Sequence, residues 1–172
     1  MPFSLSKASL PVFEIVLDAL SGLLDKADAF AAAKKFDPAV LLAWRISPDM
    51  FPFVRQVQIV TDQAKNGSAR LAGVEPPRFE DNETSIEQLR VRLARTIDYL
   101  RSIPAAALEG AETRTIQVKA GEHTLEFKGG AQFLERWAIP NVYFHVTTAY
   151  AILRHYGVEL VKRDFLAGEG EL

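Results

Sequence analysis

The stretch AIPNVYFHVTTAYAILRHYG, Ala138 to Gly157, decides the fold. Within it Val142, Val146, Ala149, Leu153 and Tyr156 recur at three- and four-residue steps, which places them on one face of a helix. Its uncharged part, Ala138 to Leu153, is shorter than the roughly 18 apolar residues of a membrane-spanning helix. Pro140, Asn141, His145, Thr147 and Thr148 also break its apolar character. The stretch therefore predicts a buried helix, interrupted at Pro140 and capped by Gly157. Such a helix needs other apolar faces around it, and the rest of the chain supplies them.

Upstream, the period changes to two. Ile116 and Val118 alternate with Gln117 and Lys119, and after Ala120-Gly121 Leu125 and Phe127 alternate with Glu126 and Lys128. This pattern predicts a short β-hairpin ended by Gly129-Gly130, and a hairpin so short must pack on something. Before it, Ile86, Leu89, Leu93, Ile97 and Leu100 form a helical stripe that Pro104 ends. Thr84-x-x-Glu87 has the spacing of a capping box at its start. The preceding segment GVEPPRFEDNE, Gly73 to Glu83, holds two prolines and four acids and reads as a loop, unusually long for a bundle connection.

Two further helices complete the set. Phe53, Val57, Val60, Ala64 and Leu71 share a face opposite Arg55, Asp62 and Lys65, predicting a helix from about Met50 to Leu71. Phe13, Val16, Leu17, Leu20, Leu24, Ala27 and Ala31 predict another from about Leu10 to Lys34. Between them Asp37-Pro38 reads as a cap with proline at the first helical position of a short turn. The tail Val158 to Leu172 has little period and reads as frayed. Long amphipathic helices can bury their stripes only against one another. The expected fold is all-α: one four-helix-bundle domain over residues 1–172, with a β-hairpin between the third and fourth helices.

Composition limits the chemistry. The chain has 172 residues, 48% hydrophobic, with no Cys, three His, and 20 basic against 22 acidic residues for a net charge of −2. Thiol catalysis, Cys–zinc sites and Fe–S clusters are excluded, and the charge gives no footprint for a nucleic-acid backbone. No membrane span or targeting peptide is legible, because Glu14 and Asp18 interrupt the N-terminal apolar run. The expected location is the cytoplasm, with neither nucleic acid nor membrane as partner.

The histidines do not assemble a metal site. A di-iron bundle needs Glu-x-x-His, but Ala120, Val142 and Ile152 stand three before His123, His145 and His155. His145 and His155 point roughly 80° apart and lie about 15 Å apart along a helix. His123 falls at the hairpin turn and His155 off the apolar face, both reading as exposed. His145 lies close to that face. It reads either as a core histidine satisfied by a hydrogen bond or as a ligand- or proton-handling group. Asp49 reads as an N-cap of the second helix; alternatively Asp49 or Arg45 approaches His145 in a polar cluster, with Gln56 at its rim. No nucleophile elbow, phosphate loop, zincin motif or dinucleotide fingerprint is present.

The residues Trp44-Arg45-Ile46-Ser47-Pro48-Asp49-Met50-Phe51, Gln56, Ala64-Lys65, Asp81, Glu83, Pro140-Asn141, Tyr143-Phe144-His145 and Ala149 to Val158, continued by Lys162 and Asp164-Phe165-Leu166, carry a likeness. They resemble an uncharacterised domain-of-unknown-function family grouped with the DinB/YfiT-like bundles. The resemblance implies a DinB/YfiT-like four-helix bundle, commonly a homodimer. Relatives often hold a divalent metal with one His from the second helix and an H-x-x-x-H pair on the fourth, and some are thiol-dependent transferases. Here the partner four residues after His145 is Ala149, and the second helix has no His.

Two functions follow. The first is a non-catalytic or small-ligand-binding bundle without metal or other cofactor, in which Arg45, Asp49, Gln56, Asn141 and His145 line a site for an unidentified small molecule. The second is a divergent metal-dependent thiol-transferase-like enzyme using His145 and Asp49.

Overall fold

The computed structural model describes residues 4–167. Its long helices are α1 (Leu5–Lys34), α2 (Phe53–Ala72) and α3 (Ile86–Ser102), followed by an antiparallel hairpin, β1 (Thr115–Ala120) and β2 (His123–Lys128). A short α4 (Gly130–Phe133) then runs through a π-turn (Leu134–Ala138) into α5 (Ile139–His155), and α6 (Lys162–Ala167) follows. The architecture is the expected helical bundle with its hairpin before the last long helix. α2 packs on α5 and α3, and α1 on α3, α5 and α6. Phe13, Phe53, Phe133, Leu17, Leu20, Leu23 and Leu24 fill the space between them.

The predicted turn after α1 forms as a 3-10 helix, Pro38–Ala43, with Asp37 accepting from the Ala39 N–H at 2.9 Å. In the hairpin Ile116 pairs with Phe127 and Ala120 with His123, and Ile116, Val118 and Phe127 turn inward. Phe127 packs on Phe133 of α4 and on Trp137, with ring centroids 5.5 and 6.2 Å apart, so the hairpin gains the support it lacks alone.

Several boundaries differ from the sequence reading for local physical reasons. α1 begins at Leu5 rather than Leu10, running through Pro11, which lies on an exposed face where the Lys7 carbonyl left without its N–H donor meets solvent. α2 starts at Phe53 rather than Met50. Pro52 holds its N-cap position, so Asp49 is not the cap. Ser85, not Thr84, caps α3. Its hydroxyl accepts from the Gln88 N–H at 3.2 Å, and the Gln88 amide oxygen accepts from the Thr84 N–H at 2.6 Å. Pro140 does not interrupt the helix: the π-turn before it absorbs the mismatch, and the Asn141 amide donates to the Trp137 carbonyl at 2.8 Å.

The segment read as a frayed tail is ordered up to Ala167. Gly157, at φ +97°, closes α5 with Val158 N–H bonded to Leu153 O at 3.0 Å, after which Val158 and Leu160 are buried. α6 returns along α1, tied by Lys26 to Asp164 at 2.9 Å and by Phe165 against Tyr150. The remainder of that tail, 168–172, lies outside the described residues.

Candidate functional site

α2 buries polar side chains on two sides. Toward α5, Gln56 is 1% exposed, so it is a core group and not the rim residue its flank position suggested. His145, on α5, is half-buried with Nδ1 2.7 Å from Gln56 Oε1, while Gln56 Nε2 donates to the Phe51 carbonyl at 3.0 Å. This relay fixes protons. A backbone carbonyl only accepts, so the amide nitrogen must face Phe51 and the amide oxygen must face His145. Nδ1 therefore carries a proton, and in the neutral ring the lone pair sits on Nε2. Burial, reinforced by the nearby Arg55 guanidinium, lowers the His145 pKa below the usual imidazole value and favours that neutral form.

The second polar side of α2 faces the long loop. Arg92 of α3 is 2% exposed, and its guanidinium binds Thr61 Oγ1 at 2.7 Å, Glu80 O, Glu83 Oε1 and Asp62 Oδ1 at 2.9 Å, and Asp81 Oδ1 at 3.0 Å. Lys65, placed on a solvated face by its periodicity, is instead buried. Its ammonium reaches the Pro77 carbonyl and Asp62, and lies 4.5 Å from the Phe79 ring centre. Burial lowers its pKa, which Asp62 partly offsets. Arg95 stacks on Phe79 at 3.9 Å. The acidic, proline-containing loop is thus a strap bound across α2 and α3.

The two sides meet at Arg55. Its Nη1 bonds Gln58 Oε1 at 3.2 Å and the Asp81 carboxylate, so Asp81 is shared between Arg55 and Arg92. Gln58 in turn donates to Glu83 Oε2 at 2.7 Å.

Of the sequence candidates, Gln56 and His145 come together. Asn141 is half-buried but bonds within its own helix. Arg45 is exposed, and its backbone carbonyl receives the Tyr156 hydroxyl at 3.2 Å beneath the stacked rings of Trp44 and Tyr156. Asp49 is exposed and accepts from Ser47 Oγ at 2.5 Å, which lowers its pKa; among the described residues no hydrogen bond or ion pair joins it to His145. His123 and His155 are exposed, as their positions suggested. Arg55 and Arg92 escaped the sequence reading, although Arg92 left a signal: an arginine one turn after Leu89, inside an apolar stripe.

A three-histidine metal does not fit this donor set. The α2 position facing His145 offers an amide already committed at both ends, and Ala149 has no donor atom. Among the described residues no group of three or more His, Cys, Asp or Glu side chains is placed to hold a metal ion. No described helix is long and apolar enough to cross a membrane.

A four-helix bundle with a late hairpin and a lone inward histidine is the architecture of a DinB-like protein. The family described as Domain of unknown function (DUF1993) matches residues 5–166, and this chain belongs to it. The crystal structure of a DinB family member protein from Shewanella denitrificans is similar at 41% identity and a TM-score of 0.87, covering 98% of this chain and 94% of that one. No curated protein matches the sequence.

Proposed function

We propose that this chain is a non-catalytic, small-ligand-binding DinB-like bundle, folded as a single cytoplasmic domain and assembled as a homodimer. His145 Nε2 is its principal binding atom. The observation that carries the reading is the Phe51–Gln56–His145 relay, which commits Nδ1 of a half-buried ring and, in its neutral form, leaves the lone pair on Nε2. A histidine kept only for packing needs no such orientation of its outward atom, whereas a binding group gains from being held in one tautomer.

A thermal-shift screen of small polar compounds against the wild type and H145Q tests this reading. Compounds that raise the melting temperature of the wild type are expected to lose that effect in H145Q. Equal shifts in both proteins would overturn it. Light scattering at tens of micromolar is expected to return twice the chain mass of 19.1 kDa, and a monomer would remove the homodimer.

A further inference from the structure

Between the strap and α3 lies a cleft of about 510 Å³, within the size range of small-molecule sites. Neither His145 nor Gln56 lines it, so it stands apart from the imidazole relay. Its helical wall is Gln88, Val91, Arg92 and Arg95. The three- and four-residue steps of α3 set these on one face, with Gln88 and Arg95 about 10 Å apart along the axis. The strap forms the opposite wall through Arg78, Phe79, Glu80 and Glu83.

Most of the charge in the cleft is already matched. Glu83 gives one carboxylate oxygen to Arg92 and the other to Gln58, and Arg78 lies 3.5 Å from Glu80. Arg95 differs. Among the described residues it makes no ion pair and no hydrogen bond, and its guanidinium lies 3.9 Å from the centre of the Phe79 ring. A guanidinium on a ring face keeps its N–H donors in its own plane, so Phe79 fixes the cation without occupying them. The Lys65 ammonium, 4.5 Å from the same ring centre, steadies Phe79 in turn. One turn before Arg95, Val91 is 60% exposed and gives the wall an apolar step. At the far end the Gln88 amide oxygen accepts from the Thr84 N–H at 2.6 Å and from its hydroxyl at 3.2 Å. The Gln88 Nε2 donors have no partner among the described residues.

One cation in excess selects one negative charge. A second charge, as in a phosphate dianion, meets Glu80 and Glu83 and is repelled. The Gln88 donors call for an acceptor oxygen, and Val91 between them and Arg95 calls for carbon. We propose that this cleft binds a small aliphatic monocarboxylate with a carbonyl oxygen remote from the carboxylate, the carboxylate on Arg95, the chain across Val91 and the carbonyl on Gln88 Nε2.

The experiment follows the side-chain N–H resonances of Arg95 and Gln88 by NMR in the full chain, during titration with levulinate and its homologues longer by one and two methylenes. Alkanoates of the same carbon count lack the acceptor, the amides of the keto acids lack the charge, and inorganic phosphate supplies charge alone. At least one keto acid is expected to shift both side chains saturably, with its amide bound about tenfold or more weakly and its alkanoate about threefold or more weakly. R95Q is expected to weaken that acid about tenfold or more, and R95K to recover part of the loss. Q88E keeps an oxygen for Thr84 but replaces the donor with a negative charge, and is expected to weaken the acid about threefold or more. No saturable shift at tens of millimolar with any keto acid, or unchanged binding in R95Q, overturns the assignment. Alkanoate or phosphate bound as tightly as the best keto acid overturns it as well.

Discussion

Replacing Arg92 with Met removes the most buried tie between the strap and the bundle, and its cost can be worked from the burial of each partner. The guanidinium is 2% exposed and holds Glu83, 9% exposed, as well as Asp62 and Asp81 at 26% and 37%. Removing one member of a buried ion pair costs about 3–5 kcal/mol, chiefly by leaving the other charge unpaired in a poor solvent. Only Glu83 is deep enough to incur that penalty in full, since Asp62 and Asp81 can regain water. The expected loss is therefore at the low end, about 3 kcal/mol. For a chain of this size that corresponds to a melting-temperature drop of roughly 6–12 °C. Urea unfolding followed by circular dichroism measures the loss, and trypsin reports the strap directly through Arg78, whose side chain is 88% exposed. Adding E83Q to R92M removes the stranded charge and is expected to restore part of the stability. A loss under about 1 kcal/mol, the size of an exposed pair, would refute the reasoning. Unchanged cleavage at Arg78 would do the same.

Three other changes test separate links. R55Q removes the cation that disfavours imidazolium, so the His145 pKa, followed by NMR titration, is expected to rise toward the usual imidazole value; no rise means that Arg55 does not act on the ring. Because the folded-state pKa of His145 is lowered, the unfolded chain takes up this proton first on acidification. Its contribution to stability is complete above the unfolded value of about 6.5 and declines as pH falls toward the folded pKa. Urea midpoints of wild type and H145Q should therefore converge on acidification below that value, and parallel curves would contradict the linkage. G129A places a Cβ 2.3 Å from the Glu112 carbonyl at a backbone φ of +138°. It is expected to lose at least about 1–3 kcal/mol from backbone strain alone, and a wild-type melting temperature would count against the turn geometry.

The helices and hairpin were legible because burial here follows period closely. Phe53, Val57, Val60 and Ala64 are all fully buried, as are Leu89 and Val146 or nearly so. Short or irregular pieces were not legible. α6 is only six residues, too few to show a period, and its docking depends on Phe165 meeting Tyr150 and on Lys26 meeting Asp164. The π-turn before Pro140 is invisible to a pattern with a fixed step of 3.6 residues. Within the site, Gln56 and His145 stood out as polar residues near apolar faces. The strap did not, because periodicity assigns Lys65 to water and cannot see that a remote acidic loop folds back over it. The loop's length and its acids were the available signal, and a buried Arg92 was their complement. Asp49 illustrates the opposite error: a good capping residue near a helix start is not the cap when a proline closer to the helix takes the position.

The tautomer of His145 in the ligand-free chain is the most direct test of the site. Nitrogen NMR distinguishes a protonated from an unprotonated ring nitrogen, and the full chain needs no substitution for the measurement. The expected result is a proton on Nδ1, a bare Nε2, and titration below the usual imidazole value. A proton on Nε2 at neutral pH, or a ring that titrates at or above that value, would contradict the account.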